Sequence, residues 1–448
     1  MFSKLILLIL FESDWLKGRK RRRKVPVKPI ITNGKDKEND KEKENDQQRD
    51  DSQMKKKPIN YVKQKRSKCN IFLEIVFLFI GSILLFFCFL DAPIQPVTFK
   101  LPPPPIFEGS LSPNTKLQSA KILLKGKVFG PESLAIKDGV IYTGTGDGQL
   151  IAINGTDVNN IASFHANQDS EKIPCGLADV EHICGRPLGL RFDKSGSSLY
   201  VAEAYSGLYK INLTSGTARH LSKHNDQQIG DRMQFVNDLD VTSDGVVYFT
   251  DSSSRWQRRD NVYLISEGSS NGRIFKYDPI TDRTEVVLED LAFPNGVQLS
   301  PDEDFLLFSE MTYARINLLF LKGTMKGQVV SFIENLPGLP DNIRASSSGG
   351  YWVGFAKVRK QPFSLYDFLS NRPFIKSYLS KIIPLELLPR YLPKYGLIVE
   401  LDRLGNIKQS LHDPSGEVVP ACSEILDTGD SLYLGSYDKN YIAKIDLK

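Results

Sequence analysis

Five cysteines and five histidines in 448 residues leave little for a soft metal site. No thiolate cluster can be drawn, and the one close imidazole pair, His220 and His224, lacks a third ligand. The same scarcity weighs against Ser-His-Asp catalysis: no such set can be assembled, and no serine is read as the nucleophile of a Gly-x-Ser-x-Gly elbow. Gly144 to Gly148, GTGDG, superficially suggests a phosphate loop, but the strand GQLIAIN follows where a helix is needed, so a hairpin turn is expected. A basic surface is also missing from most of the chain. Residues 1–70 hold 21 Lys and Arg against 10 Asp and Glu, while the remainder holds 37 against 43. The larger part is therefore net acidic, which excludes nucleic-acid binding as its role. The basic run Lys17 to Lys24 admits a nuclear address, but its better use is as positive charge beside a membrane segment.

Long apolar runs are absent but for one. Ile71 to Leu90, IFLEIVFLFIGSILLFFCFL, is twenty residues broken only by Glu74 and a Gly-Ser step. At about 1.5 Å per residue it spans a hydrocarbon core of about 30 Å. It starts too far into the chain for a cleavable signal peptide, and Phe2 to Phe11 lacks both a leading basic region and a small-residue cleavage site. Lysines 55–57, Lys63, Lys65, Arg66 and Lys68 precede it, whereas Asp91 to Ser110 holds only Lys100. The positive-inside bias then predicts a type II single-pass protein, with residues 1–70 a disordered cytosolic tail and everything after residue 90 extracellular or lumenal, at the plasma membrane or endoplasmic reticulum. Asn154-Gly-Thr and Asn212-Leu-Thr are glycosylation acceptors consistent with that side. Cys175 and Cys184 bracket one loop and can close it as a disulfide in an oxidising compartment, the other reading being two buried thiols. Residues 91–116, with the run Pro102 to Pro105, read as a stiff extended stalk.

What the rest of the chain has is a repeated phrase. PESLAIKDGVIYTG, RPLGLRFDKSGSSLYVAE, VNDLDVTSDGVVYFTD, PNGVQLSPDEDFLLFSE, PDNIRASSSGGYWVGF and CSEILDTGDSLYLGS each read as strand, polar turn, strand. Six such hairpins over 117–448 predict an all-β six-bladed β-propeller behind a single transmembrane helix. Aligned on their turns, the six place Glu132, Leu188, Asn237, Asn295, Asp341 and Ser423 in one column, 56, 49, 58, 46 and 82 residues apart. The long last interval holds residues 363–396, where apolar residues recur at helical spacing between prolines. It is expected as a helical insertion in the fifth blade that packs on the parent domain, a seat on the bilayer being its second use.

Equivalent positions of different blades face one axis, so the column brings carboxylate and amide oxygens together. That is the donor set of a hard cation. Ca²⁺ takes six to eight oxygens at about 2.3–2.6 Å, and Glu132, Asn237, Asn295, Asp341 and Asn342 make a shell for it. GPES at 130–133, VND at 236–238, PNG at 294–296 and PDN at 340–342 resemble the calcium-ligand positions of the paraoxonase and gluconolactonase class of propellers. The span from about Leu117 onward, including LHDPSG at 411–416 and LDTGDSLYLGS, resembles the strictosidine synthase-like family. The resemblance implies an arylesterase-like, Ca²⁺-dependent hydrolase of small esters or lactones, with Asp341 or Glu132 as base. Two departures narrow it. Leu188 stands where paraoxonases carry a catalytic histidine. Ser423 stands where the plant synthase carries its catalytic glutamate, with Glu424 next door turned away from the axis by strand alternation. The competing reading is a non-catalytic propeller that binds a ligand or protein partner at the membrane.

Overall fold

The computed structural model describes residues 68–165, 174–226, 229–390 and 392–447. The predicted tail, residues 1–70, lies outside these but for its last three residues, which open a helix, Lys68–Cys88. Within that helix Ile71–Cys88, of mean hydropathy 2.7, is long and apolar enough to cross a membrane.

Six four-stranded antiparallel sheets follow. Five are built from consecutive strands, and their innermost strands are Leu134–Lys137, Pro187–Phe192, Val236–Val241, Pro294–Leu299 and Gly338–Ala345. The sixth starts at Glu424–Asp427 and takes its outermost strand from the beginning of the domain: Lys121–Leu123 pairs with Ile442–Asp446, Lys121 opposite Lys444. This N-to-C pairing closes the ring. The local chemistry favours hairpins throughout. In the first blade Asp138 (φ 50°) and Gly139 (φ 77°) form the two-residue turn between strands, both in the left-handed region that a twist-matched hairpin needs.

Adjacent blades pack face to face through apolar side chains. Leu190, Leu199 and Val201 of the second blade meet Ala135 and Leu150 of the first, and Trp352, Ile398 and Leu411 of the fifth meet Ile425, Leu432 and Leu434 of the sixth. All eleven residues are buried, so both of these inter-blade layers are closed apolar cores.

Strand direction alternates, so the connections entering each inner strand and those joining second to third strands share one end of the ring. Two are long. In the third blade the connection carries the helix Asn261–Glu267. In the fifth, between Tyr351–Val358 and Gly396–Leu401, it carries the helices Leu365–Ser370 and Pro373–Ile382 and a 3₁₀ turn, Leu385–Arg390. Ser364 caps the first of these helices by accepting from Asp367 N–H, and Pro373 opens the second, where its missing N–H costs nothing. Arg359 fixes the base of the insertion through Nε bonds of 3.1 Å to both Asp367 oxygens, and Tyr366 donates to the carbonyl of Thr312, 2.8 Å, in the fourth blade.

The segment expected as a free stalk lies instead along this end of the ring. Ile94 and Phe99 are buried, Val97 N–H donates to Glu267 O (2.9 Å), and Phe99 N–H donates to Ser370 O (3.2 Å). Further on, Arg359 donates to Pro102 O, Asn335 to Pro103 O and Gln361 to Pro104 O. Proline removes N–H donors but leaves carbonyls unpaired within its own segment, and here side chains of the fourth and fifth blades take them up. Composition had specified an extended conformation; it could not specify what lies beneath. Phe107 then packs edge-on against Tyr395 and His412, and Leu117 is fully buried.

Candidate functional site at the propeller axis

The column falls at the start of the inner strands, and in four blades it coincides with a β-bulge. Register shifts between Pro187 and Leu190, Val236 and Leu239, Pro294 and Val297, and Pro340 and Ile343. Each bulge spends two residues where the partner strand spends one, which breaks the alternation and re-aims a side chain. The two bulged residues are the column residue and its successor: Leu188–Gly189, Asn237–Asp238, Asn295–Gly296 and Asp341–Asn342. Consecutive residues Asp341 and Asn342 therefore both reach one buried cluster.

The column residues are buried, Glu132 and Asp341 at 4 % exposure, Asn237 and Asn295 at 3 %, and Asn342 at 0 %. Four of them form one connected set. Asn342 Nδ2 donates to Glu132 Oε1, 3.0 Å, and the Asn295 side chain is bonded to the Asp341 carboxylate. Asn237 is buried on the next inner strand, where its amide donates to Ser252 Oγ at 2.9 Å. Glycine at the successor position makes room. A Cβ on Gly189 would sit 2.7 Å from the Asp238 backbone, and one on Gly296 would sit 2.5 Å from Asn342 Cα.

Below the column lies a second buried layer that the sequence reading missed. Arg344 donates to both Asp238 oxygens, 2.7 and 3.0 Å, and pairs with Glu424. Glu424 also accepts from Asn342 Nδ2 at 3.1 Å, so it belongs to the polar cluster instead of turning away from it. Alternation does direct its side chain off the column, but in a propeller that direction meets the neighbouring blade's inner strand. The residue after each column position, Ser133, Gly189, Asp238, Gly296, Asn342 and Glu424, forms a second column that alignment on the turns could have revealed.

The electrostatics of the cluster are unbalanced. Burial, then the charges of Glu424 and Asp238, push the Glu132 carboxyl up to about 7, against the pull of Arg186 and Arg344. Burial and the neighbouring Glu132 charge raise Asp341 well above the usual carboxylate range, while its bond from Asn295 acts the other way. Three buried side-chain oxygens here have no partner: Glu132 Oε2, Asn295 Oδ1 and Asn342 Oδ1. Buried oxygens are ordinarily paired. Among the described residues no three of His, Cys, Asp and Glu converge as a metal cluster, because this donor set is two carboxylates completed by amides.

Other sequence candidates resolve plainly. Cys175 and Cys184 are joined as a disulfide, Cα–Cα 5.8 Å, and Cys422 is a buried free thiol. His220 lies on the outer strand Ala218–Lys223 and stacks on Tyr209 at 4.1 Å, away from the column. Gly144 to Gly148 is a hairpin turn. One Gly-x-Ser-x-Gly spacing does exist, Gly268 to Gly272, which corrects the reading above. It leads from helix to strand, the reverse of a nucleophile elbow. Asn154 is exposed at a strand end, and Asn212 accepts backbone bonds from Thr214 and Ser215.

A family model for strictosidine synthase matches residues 237–324, and one for the strictosidine synthase-like N-terminal region matches residues 109–153. Adipocyte plasma membrane-associated protein of Danio rerio is 46 % identical over 385 residues, covering 86 % of this chain and 91 % of that one. This chain belongs to the strictosidine synthase-like family. Protein STRICTOSIDINE SYNTHASE-LIKE 3 of Arabidopsis thaliana is 35 % identical over 365 residues, covering 78 % of this chain and 91 % of that one. Among solved structures, a gluconolactonase of Xanthomonas campestris is similar at 17 % identity, covering 80 % of this chain and 99 % of that chain, with a TM-score of 0.48. Within the strictosidine synthase-like fold of this chain, Leu188 is an apolar, buried member of the column and Ser423 donates to Glu132 O at 2.8 Å. Neither offers an imidazole or carboxylate to the axis.

Proposed function

We propose that this protein is a membrane-anchored, Ca²⁺-dependent hydrolase of small esters or lactones. The observation that carries the reading is the trio of unpartnered buried oxygens on Glu132, Asn295 and Asn342, gathered with Asp341. Two carboxylates forced together without a cation raise each other's proton affinity, and a hard cation relieves that repulsion while taking up the orphaned oxygens. Glu132, Asn295, Asp341 and Asn342 would hold it, with Asn237 on the adjoining strand. Bound there, Ca²⁺ supplies Lewis-acid polarisation of a carbonyl oxygen.

The remaining work falls to the chain's own groups. Glu132 or Asp341 would take the proton of the attacking water. The Asp238–Arg344–Glu424 layer holds Asn342 in place from below. Leu188 and Ser423 leave no histidine- or glutamate-assisted route at their positions, so the base is sought in the column itself. The apolar helix Ile71–Cys88 would anchor the domain, with the N-terminus cytosolic. Asn154 and Asn212 would then carry glycans on the far side.

The test is turnover of phenyl acetate by the purified protein, with Ca²⁺ and with chelator, beside Asn295→Ala. Calcium-dependent hydrolysis that Asn295→Ala abolishes, together with loss of the Ca²⁺-dependent rise in Tm, is expected. Hydrolysis indifferent to chelator sinks the calcium mechanism. Calcium binding without turnover of any ester favours the ligand-binding propeller.

A further inference from the structure

The column does not exhaust the unpaired polar atoms. Twelve buried side-chain nitrogens and oxygens lack a partner among the described residues, and nine of them sit on the column or in the connections at its end of the ring. Beyond the three column oxygens these are Nε and Nη1 of Arg186, Nδ1 of His224, Nε1 of Trp256, Oε1 of Gln257 and Oγ1 of Thr312. Such a concentration at one end marks a place prepared for something other than the chain itself.

Arg186 is the unusual member. It is 1 % exposed, immediately precedes the second blade's inner strand and lies two residues before Leu188. Its Nη2 donates to Tyr437 O at 3.1 Å. The guanidinium lies against glycine backbone: a Cβ on Gly130 would be 2.9 Å from Nη1 and Nη2, and one on Gly146 would be 3.0 Å from Nη1. Gly130 is two residues before Glu132, so the cation is at the rim of the column. Carboxylates nearby are already engaged. Glu181 accepts from Arg258 Nη1 at 3.0 Å and from the Tyr205 hydroxyl at 2.7 Å, and Glu203 accepts the Arg186 backbone N–H. Burial and the neighbouring Arg258 charge lower the guanidinium to about 10, opposed by Glu181, Glu132 and Tyr205, so it stays charged at neutral pH. A buried cation with free N–H donors is costly unless a partner completes it.

We infer that Arg186 is a substrate-positioning residue that binds an oxyanion, so that the preferred substrates of the column are esters or lactones carrying a second, acidic group. A planar guanidinium with open donors suits a carboxylate or a phosphate monoester, and its burial makes the pairing stronger than in water. The turnover part rests on the hydrolase reading; the anion site stands without it.

The experiment uses the full chain in detergent with Ca²⁺ present, as wild type, Arg186→Gln and Arg186→Lys. Kinetics compare monophenyl succinate, an ester with a free carboxylate, against neutral phenyl acetate. Benzoate and phenyl phosphate are added separately as probes of thermal unfolding. The ratio of kcat/KM for the acidic over the neutral ester should fall about ten- to hundredfold in Arg186→Gln, with Arg186→Lys between. One or both anions should raise the Tm of wild type and not that of Arg186→Gln, and the larger shift names the anion class. A ratio unchanged within about twofold overturns the proposal, as do anion shifts that are absent in wild type or equal in Arg186→Gln. If no ester is turned over, the hydrolase reading falls and the Tm shifts alone decide on Arg186. If Arg186→Gln lacks a cooperative transition, Arg186→Lys is judged by the same criteria.

Discussion

Glu132 offers the most direct test of the axial cluster, because its perturbation has a sign that is easily mistaken. Its carboxyl is raised from an ordinary 4.5 to about 7. The folded protein in chelator therefore binds a proton more tightly than the unfolded chain does. Between these two values the unfolded chain has released the proton and the folded protein has kept it, so stability is lost as pH rises through the window. A shift of this size corresponds to about 3 kcal/mol, and Asp341 moves in the same direction. The assay is urea unfolding in chelator at about pH 5 and about pH 8, compared between wild type and Glu132→Gln so that titrating groups outside the Glu132–Asp341 pair cancel. Wild type should lose about 3 kcal/mol more than the variant over this range. Calcium should restore wild type at the higher pH and leave the variant little changed, because the repulsion it relieves has been removed. Equal pH dependence in the two proteins would refute the reasoning, as would a wild type that gains stability relative to the variant as pH rises.

Three further outcomes are expected. Arg344→Met strands Asp238 and Glu424 as buried, unpaired charges and should destabilise the domain by about 3–5 kcal/mol; adding Asp238→Asn and Glu424→Gln should recover most of this in the same unfolding assay. Cys175→Ser with Cys184→Ser opens a loop of sequence separation 9 and should cost about 2–3 kcal/mol, read as a lower urea midpoint with unchanged calcium affinity. The calcium affinity of wild type, measured calorimetrically, should fall as pH drops below about 7, where protons compete for Glu132.

The ring was legible in the sequence because each blade repeats one turn. Asp138-Gly139 and its counterparts fix the hairpins, and hairpins fix where each inner strand begins. Aligning those starts was enough to gather Glu132, Asn295 and Asp341. The second layer was missed because alternation was applied to Ser423–Glu424: it does turn Glu424 off the column, but onto the neighbouring blade's inner strand. At Asn237–Asp238 and Asp341–Asn342 bulges cancel the alternation, and no single residue type announces a bulge. Arg344, three residues past the column in its own strand, reaches Asp238 only through the packing of one blade on another. Residues 91–116 were misread for a different reason: proline content specifies backbone conformation, whereas the carbonyl acceptors it leaves are satisfied by Arg359, Asn335 and Gln361, far away in sequence.

That strapped segment also sets a length. Only Phe89 to Pro93 separate the helix's last residue, Cys88, from the buried Ile94. At about 3.5 Å per residue the propeller can stand no farther than roughly 20 Å from the end of the helix. A loose tether of the same composition would let the domain tumble and sample bulk solvent in all orientations. Here the end of the ring that carries the column travels with the apolar helix. With that helix seated in a bilayer, a compound dissolved in the same leaflet would meet the column by lateral diffusion, searching an area instead of a volume.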